Sequence, residues 1–259
     1  MHHHYDLSVI IPGIRNEHWV TLRDHVAHAC RRYKYEIIFS GPKPLPEPLQ
    51  NDLNVKYIKN YGSPTRALHL ATLISEGRFF TWLSDDAHLY PDSMDLSLDL
   101  LLSRNPQKDI VCMRYTEGVN HSGGEFAPSY WVAGTHPDLH APAVDRNWKI
   151  PIVMLLSLER YRDLGGFDHG YHHLNMNLHD FAFRAQMDGT EVLMSPTQVQ
   201  NCDFEENRTP ENSPIIAAFW NNDRPRFWQQ YAVPGERPIR IDPENWRESS
   251  PVWELRKFK

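Results

Sequence analysis

Apolar runs and helical-period segments alternate through the first 115 residues. Leu7 to Pro12 is nearly all apolar and ends on proline, which predicts a strand buried on both faces. From Trp19 to Tyr33 the apolar positions Trp19, Leu22, Val26, Ala29 and Tyr33 recur at a helical spacing. Strands are predicted at Tyr35–Ser40 and Val55–Lys59. Between them lies a loop with Gly41 and four prolines from Pro42 to Pro48. Ala67, Leu70, Ala71 and Ile74 form the inner stripe of a second helix started near Ser63-Pro64 and ended by Gly77. Phe79 to Leu83 is an aromatic, apolar strand that runs to Asp85-Asp86, and Pro91-Asp92-Ser93 opens a third helix to about Arg104. A further strand covers Asp109–Tyr115.

This alternation predicts a doubly wound α/β fold with a mostly parallel sheet. Such sheets bind ligands outside the carboxyl ends of their strands. Pro12 to Asn16, Ser40-Gly41 and Ser84 to Ala87 all follow strands, so one rim gathers them. From Glu117 to Trp148 the pattern is lost among glycines, prolines and His121, His136 and His140, as in a functional loop or lid. Regularity returns with a strand at Ile152–Ser157 and a helix at Leu158–Leu164 closed by Gly165-Gly166. A helix at Asn177–Met187 and a strand at Glu191–Met194 follow, then a Pro-, Asn- and Trp-rich tail with a helix from Pro214 to Asn222. The expected division is a nucleotide-sugar-binding and catalytic domain over 5–200 and an irregular C-terminal extension over 201–259.

Composition narrows the partners. With 41% hydrophobic and 23% charged residues, the 259-residue chain is an ordinary globular one. A net charge of −6 with mixed signs argues against a nucleic-acid polymer as partner. Cys30, Cys112 and Cys202 lie far apart and form no metal or redox motif. No apolar run reaches the roughly 18 residues that a bilayer span needs, and no secretory leader is visible, so a cytoplasmic protein without a transmembrane segment is expected.

Asp85-Asp86 is the sharpest chemical feature. Two adjacent carboxylates at the end of a core strand repel each other and demand a cation there. A divalent metal holding a phosphate is one occupant; a solvated turn ahead of a helix is the other reading.

Four segments carry a resemblance. Leu7 to Asn16, Asn54 to Ala71, Gly77 to Met94 with Asp85-Asp86 and Pro91-Asp92, and Leu164-Gly165-Gly166-Phe167-Asp168 followed by His179-Asp180 and Arg184 stand in order along 5–200. In these the chain resembles the family 2 glycosyltransferases of the GT-A fold. The resemblance implies a metal-dependent inverting transfer of a sugar from a UDP- or GDP-sugar to an acceptor hydroxyl. Mn²⁺ or Mg²⁺ would be the cofactor. Asp86 would bind the metal, with Asp203 as a further ligand, and Asp85 would hold the ribose or a metal-bound water. Pro12, Arg15, Asn16, Ser40 and Arg66 would meet the nucleotide. Asp180 would be the general base with His179 beside it. Read without the resemblance, Asp180 is a helix N-terminal carboxylate and His179 a surface histidine. Tyr130 and Trp131 would stack on an acceptor sugar or simply pack.

The chain departs from the family pattern at Ser40-Gly41, where relatives commonly carry acidic residues against the nucleobase. It departs again at His179, which stands for a glutamate, and in lacking a late histidine. A second reading is therefore a sugar- or nucleotide-binding module that has lost catalysis. A nucleotidyltransferase would want a glycine-rich basic loop after the first strand, which Pro12-Gly13-Ile14-Arg15-Asn16 does not supply.

Overall fold

The apolar runs form the centre of an eight-stranded sheet. The structure, a computed structural model, describes residues 3–117, 130–132, 149–202, 210–231, 236–248 and 250–258. Strands β1 (Tyr5–Pro12), β2 (Tyr35–Gly41), β3 (Val55–Lys59) and β4 (Gly77–Trp82) are parallel, in the spatial order β3-β2-β1-β4. Beyond β4 lie β9 (Met154–Ser157), antiparallel to both its neighbours, then β6 (Ile110–Glu117), β10 (Val192–Cys202) and the two-residue β5 (His88–Leu89). β7 (Tyr130–Val132) and β8 (Lys149–Pro151) form a separate antiparallel pair.

Successive side chains of a strand point to opposite faces, and β1 uses both. Leu7, Val9 and Ile11 enter one apolar layer with Trp19, Leu22 and Val26 of helix α1 (Trp19–Ala29) and Leu98 of helix α3 (Ser93–Leu102). Ile10 enters the other with Leu68 of helix α2 (Pro64–Ile74), Phe80, Tyr161 of helix α4 (Leu158–Asp163) and Phe181 of helix α5 (Leu174–Met187). Burial on both faces is why these strands read as unbroken apolar runs. Helix α2 begins as expected, with Ser63 Oγ capping Arg66 N and Pro64 in the first turn.

Three differences from the sequence reading bear on the site. The strand before Asp85 stops at Trp82, so the two carboxylates sit on a turn beyond it. Helix α5 starts three residues earlier than expected, at Leu174, because His173 caps it: its Nδ1 accepts from Asn175 N at 3.1 Å. The strand after Glu191 continues to Cys202, carried past Pro196 by a register shift between Met194 and Gln198. The expected loop His121 to His140 lies outside the described residues except for the backbone of β7. Asp203 lies outside them too.

The C-terminal segment folds back on the sheet's helices. Helices α6 (Ser213–Ala218) and α7 (Arg224–Gln230) are joined through a π-helical turn at Phe219–Asp223. Phe227 and Tyr231 pack on Phe183 of α5. Further on, Ile241 N bonds to Leu164 O at 3.3 Å, and the short helix α8 (Pro251–Glu254) leads to Arg256, which donates to Gly62 O. Among the described residues no helix is long and apolar enough to cross a membrane.

Candidate functional site

The carboxyl ends of β1 to β4 surround a cavity of about 590 Å³. β1 ends at Pro12 and the chain turns through Gly13, whose N–H donates to Ser40 O at 3.0 Å. This turn lies so close to Asp85 that a Cβ on Gly13 would come within 2.6 Å of the Asp85 Cβ. Glycine is what allows the approach.

The approach decides the fate of Asp85. Its Oδ2 accepts from Ile14 N at 2.7 Å and Arg15 N at 2.8 Å, while Oδ1 accepts from Arg15 Nε at 2.9 Å and from Arg15 Nη2. The carboxylate is thus consumed in folding the turn and orienting Arg15. Asp86 is different. Its Oδ1 accepts from Ser84 Oγ, but Oδ2 is buried with no hydrogen bond and has Arg15 Nη1 at 3.3 Å. Burial pushes the Asp86 carboxyl above the usual carboxylate range, against the pull of Ser84 and Arg15. Two carboxylates share one guanidinium, and the surplus charge sits on Asp86.

Other elements complete the lining. Pro12, Arg15, Ser40 and Asp85 reach the cavity as expected from the sequence. Asn60 and Ser63 after β3, His173, Asn175 and Leu178 from α5, Gln200 from β10 and Arg256 from the C-terminal segment join them. Ser40 Oγ, Asn60 Nδ2 and Gln200 Oε1 are buried there without hydrogen-bond partners. Asn60 was legible in principle, because it follows a parallel strand. Arg256 had no local signal.

Several expected residues, Asp86 among them, do not line the cavity. Asn16 Nδ2 donates to Pro44 O at 2.9 Å and ties down the proline loop. Arg66 donates to Trp246 O and lies between the rings of Trp246 and Trp253, 5.2 and 4.8 Å from their centroids. Burial there lowers its pKa. His179 is buried, with Nδ1 2.6 Å from Asn175 O.

The assignment of Asp180 as general base is corrected by its surroundings. It lies at the seventh position of α5, not at the N-terminus, and is fully buried. Oδ2 accepts from Arg184 Nε at 2.8 Å; Oδ1 accepts from Tyr231 Oη at 2.9 Å and Arg237 Nε at 2.8 Å. A base must offer a lone pair to the acceptor proton within hydrogen-bond reach, and here both oxygens are taken by cations away from the cavity. Arg237 continues to Asp168 Oδ2 at 2.8 Å, and Arg184 donates to Leu164 O and Gly166 O. Burial alone would raise the Asp168 pKa, but Arg226 and Arg237 prevail and hold it at about 2. The Gly-Gly-Phe-Asp segment and α5 are thus clamped together by charge. Arg184 is buried at the centre of the clamp.

The helix α5 face toward the cavity carries Leu174, Asn175 and Leu178, and among the described residues Asp85 is the only acid that lines it. His173 also lines it. Burial lowers its pKa, and its Nδ1 accepts from Asn175 N, so the neutral ring presents Nε2–H as a donor.

Among the described residues no three His, Cys, Asp or Glu side chains converge on a metal position. Mg²⁺-type ions need only one or two carboxylates when phosphates and water complete the shell. Oδ2 of Asp86, without a hydrogen bond, is the carboxylate oxygen that could serve as one such ligand.

No protein-family model matches the sequence, and no curated protein is similar to it at a significant level. Solved structures do match. S. aureus TarS 1-349 in complex with UDP superposes with a TM-score of 0.55 at 15% identity, covering 88% of this chain and 69% of that one. The complex with UDP-GlcNAc gives 0.53 at 15% identity, covering 88% and 70%. A longer TarS chain gives 0.54 at 16% identity, covering 87% of this chain and 42% of that one. TarS is a family 2 glycosyltransferase of the GT-A fold. The shared feature is the architecture, an open, mostly parallel sheet with flanking helices, and this chain therefore has the GT-A fold.

Proposed function

We propose that this protein binds a nucleoside-diphosphate sugar in the cavity at the carboxyl rim and transfers the sugar to an acceptor hydroxyl. One observation carries the reading: the buried Oδ2 of Asp86, just beyond β4, has no hydrogen bond and meets Arg15 Nη1 at 3.3 Å, while Arg15 is shared with Asp85. A buried carboxylate oxygen so weakly satisfied would gain from a further cation. TarS, of the same fold, is seen with UDP and with UDP-GlcNAc.

Asp86 would hold Mn²⁺ or Mg²⁺, which when bound supplies Lewis-acid stabilisation of the leaving diphosphate. Arg15, fixed through its backbone and side chain by Asp85, adds a second positive charge at the same end. Gly13 lets the turn close onto Asp85 and so sets the position of Arg15. Pro12, Pro42 and Pro64 form rigid apolar walls. His173 offers a neutral N–H donor on the α5 side. An inverting displacement also needs a base for the acceptor hydroxyl. Asp180 is unfit for that task.

That unfitness favours a second reading, a binding module without turnover. Calorimetry with Mn²⁺ and nucleoside diphosphates, followed by an assay of nucleotide release from nucleotide-sugars, tests both. Binding that requires Asp86, with release, supports transfer. Binding without release from any donor supports the module. Binding that survives Asp86→Asn unchanged removes the metal assignment.

A further inference from the structure

The cavity has two ends of opposite hydrogen-bonding character. At the β4 end the lining holds Asp85 and Arg15, with Asp86 ion-paired to Arg15 but outside the lining. At the end formed by β2, β3 and the C-terminal segment, the side chains are Ser40, Asn60 and Arg256.

Asn60 is buried, and its Oδ1 accepts from Gly62 N at 3.2 Å. That bond fixes the amide orientation and leaves Nδ2, a donor, buried in the cavity wall without a partner. Arg256 is also buried, and it donates to Gly62 O, Glu211 O (3.1 Å) and Asn212 Oδ1 (3.1 Å). None of these three oxygens belongs to a carboxylate. Burial consequently lowers its pKa to about 10. A guanidinium has five N–H donors, so two remain beyond the three bonds. Ser40 Oγ, fully buried and unpartnered, donates or accepts as the ligand requires.

We infer that this end of the cavity reads a nucleobase edge made of adjacent hydrogen-bond acceptors, and so selects a cytosine (O2 and N3) or guanine (O6 and N7) nucleotide over a uracil one. The inference rests on the proposed binding of a nucleoside diphosphate. With the diphosphate held at the Asp86 end, the base falls toward the opposite pole. Pro12, Pro42 and Pro64 also line the cavity and offer a ring apolar contact. Uracil presents an N3–H between its two carbonyl groups, and among the described lining residues no carboxylate stands at this end to accept it, which leaves it a neutral hydroxyl such as Ser40 Oγ, a weaker acceptor than a carboxylate. Where that N3–H instead faces the Asn60 or Arg256 donors, both are left unsatisfied, which is the larger penalty in recognition. Arginine and amide donors match the acceptor edges of guanine and cytosine directly.

The test is calorimetry on the full chain with Mn²⁺ and UDP, CDP, GDP or ADP, alongside pyrophosphate. CDP or GDP is expected to bind at least about tenfold more tightly than UDP, the discrimination one matched edge provides. Asn60→Asp keeps an acceptor for Gly62 N and turns the unpartnered donor into an acceptor. It should weaken CDP and GDP, strengthen UDP, and leave pyrophosphate unchanged. Arg256→Gln, with a melting curve to confirm folding, should weaken CDP and GDP about tenfold with pyrophosphate again unchanged. UDP binding as tightly as CDP and GDP in the parent protein would overturn the inference. So would an Asn60→Asp ranking identical to the parent's. An Arg256→Gln protein that loses pyrophosphate as strongly as nucleotide would show that Arg256 serves phosphate, and would overturn it too. If no nucleoside diphosphate binds at all, the proposed function itself falls.

Discussion

Two clusters in this molecule are built from the same residue types and do opposite things. At the sheet rim, Asp85 and Asp86 face Arg15. Beneath α5, Asp168 and Asp180 face Arg184, Arg226 and Arg237. In the second cluster cations outnumber carboxylates, a tyrosine hydroxyl fills the remaining lone pair, and the Asp180 oxygens are all used. In the first, one guanidinium serves two carboxylates and an Asp86 oxygen is left without a hydrogen bond. Saturation makes a clamp; a deficit leaves the charge on which the proposed binding rests. Residue identity does not tell the two apart, whereas counting donors against lone pairs does.

The sharpest way to break this comparison is to remove an acid from each cluster. Asp180→Ala strands Arg184 and Arg237 in the interior, and loss of one partner of a buried pair costs about 3–5 kcal/mol. Urea unfolding should register a loss of that size; a loss below about 1 kcal/mol, the scale of a solvated surface pair, would mean that the clamp carries no load.

Asp86→Asn should do the reverse. Removing a buried, under-paired charge leaves the unfolding midpoint nearly unchanged. Mn²⁺-dependent nucleotide binding should fall by at least the roughly 10- to 100-fold that loss of a mere supporting group costs a metal site. A variant that unfolds early while still binding would invert the two roles.

Acid titration sharpens the contrast next to the clamp. His69 and His169 are buried with rings 4.8 Å apart, and burial lowers their pKa values to about 4 and about 3. Below about pH 6.5 the unfolded chain takes up these protons and the folded one does not. Stability should therefore decline as pH falls from about 6.5 to 4, by about 1.4 kcal/mol per pH unit for each histidine. Asp168, held near 2, retains its contribution through this window and loses it only as pH drops below the unfolded value of about 3.9. Unfolding midpoints measured from pH 7 to 4 check this, and His169→Gln should reduce the slope without abolishing it, since His69, His172 and His173 also have lowered pKa values. A flat profile would place the histidines in water.

Tyr231→Phe is the mildest probe. It deletes one neutral donor to Asp180 while two arginines remain, so a loss of about 1 kcal/mol is expected in the same unfolding assay.

The sheet and its rim were legible because buried parallel strands write themselves as apolar runs, and ligands gather at their carboxyl ends. Gly13, Arg15, Ser40 and Asp85 were found that way. Asp180 was misread because a motif gives residue types and order but not the face of a helix. On α5, Leu174, Asn175 and Leu178 turn to the cavity, while Asp180 and Arg184, one turn apart, point elsewhere. Arg66 was misread because its partners, Trp246 and Trp253, lie some 180 residues further along the chain. Arg256 was invisible for the same reason, since its contact with Gly62 spans 194 positions.

The tight seam between the first two rim turns also bears on how this protein can change. A side chain at position 41 would run into Gly13 O, so no acidic residue can be installed there without moving both turns. Position 40 already carries a side chain, and its buried, unpartnered hydroxyl belongs to a residue that lines the cavity. Any evolutionary path from this chain toward a carboxylate at the end of β2 therefore runs through Ser40, and a single Ser40→Asp exchange is the shortest step along it.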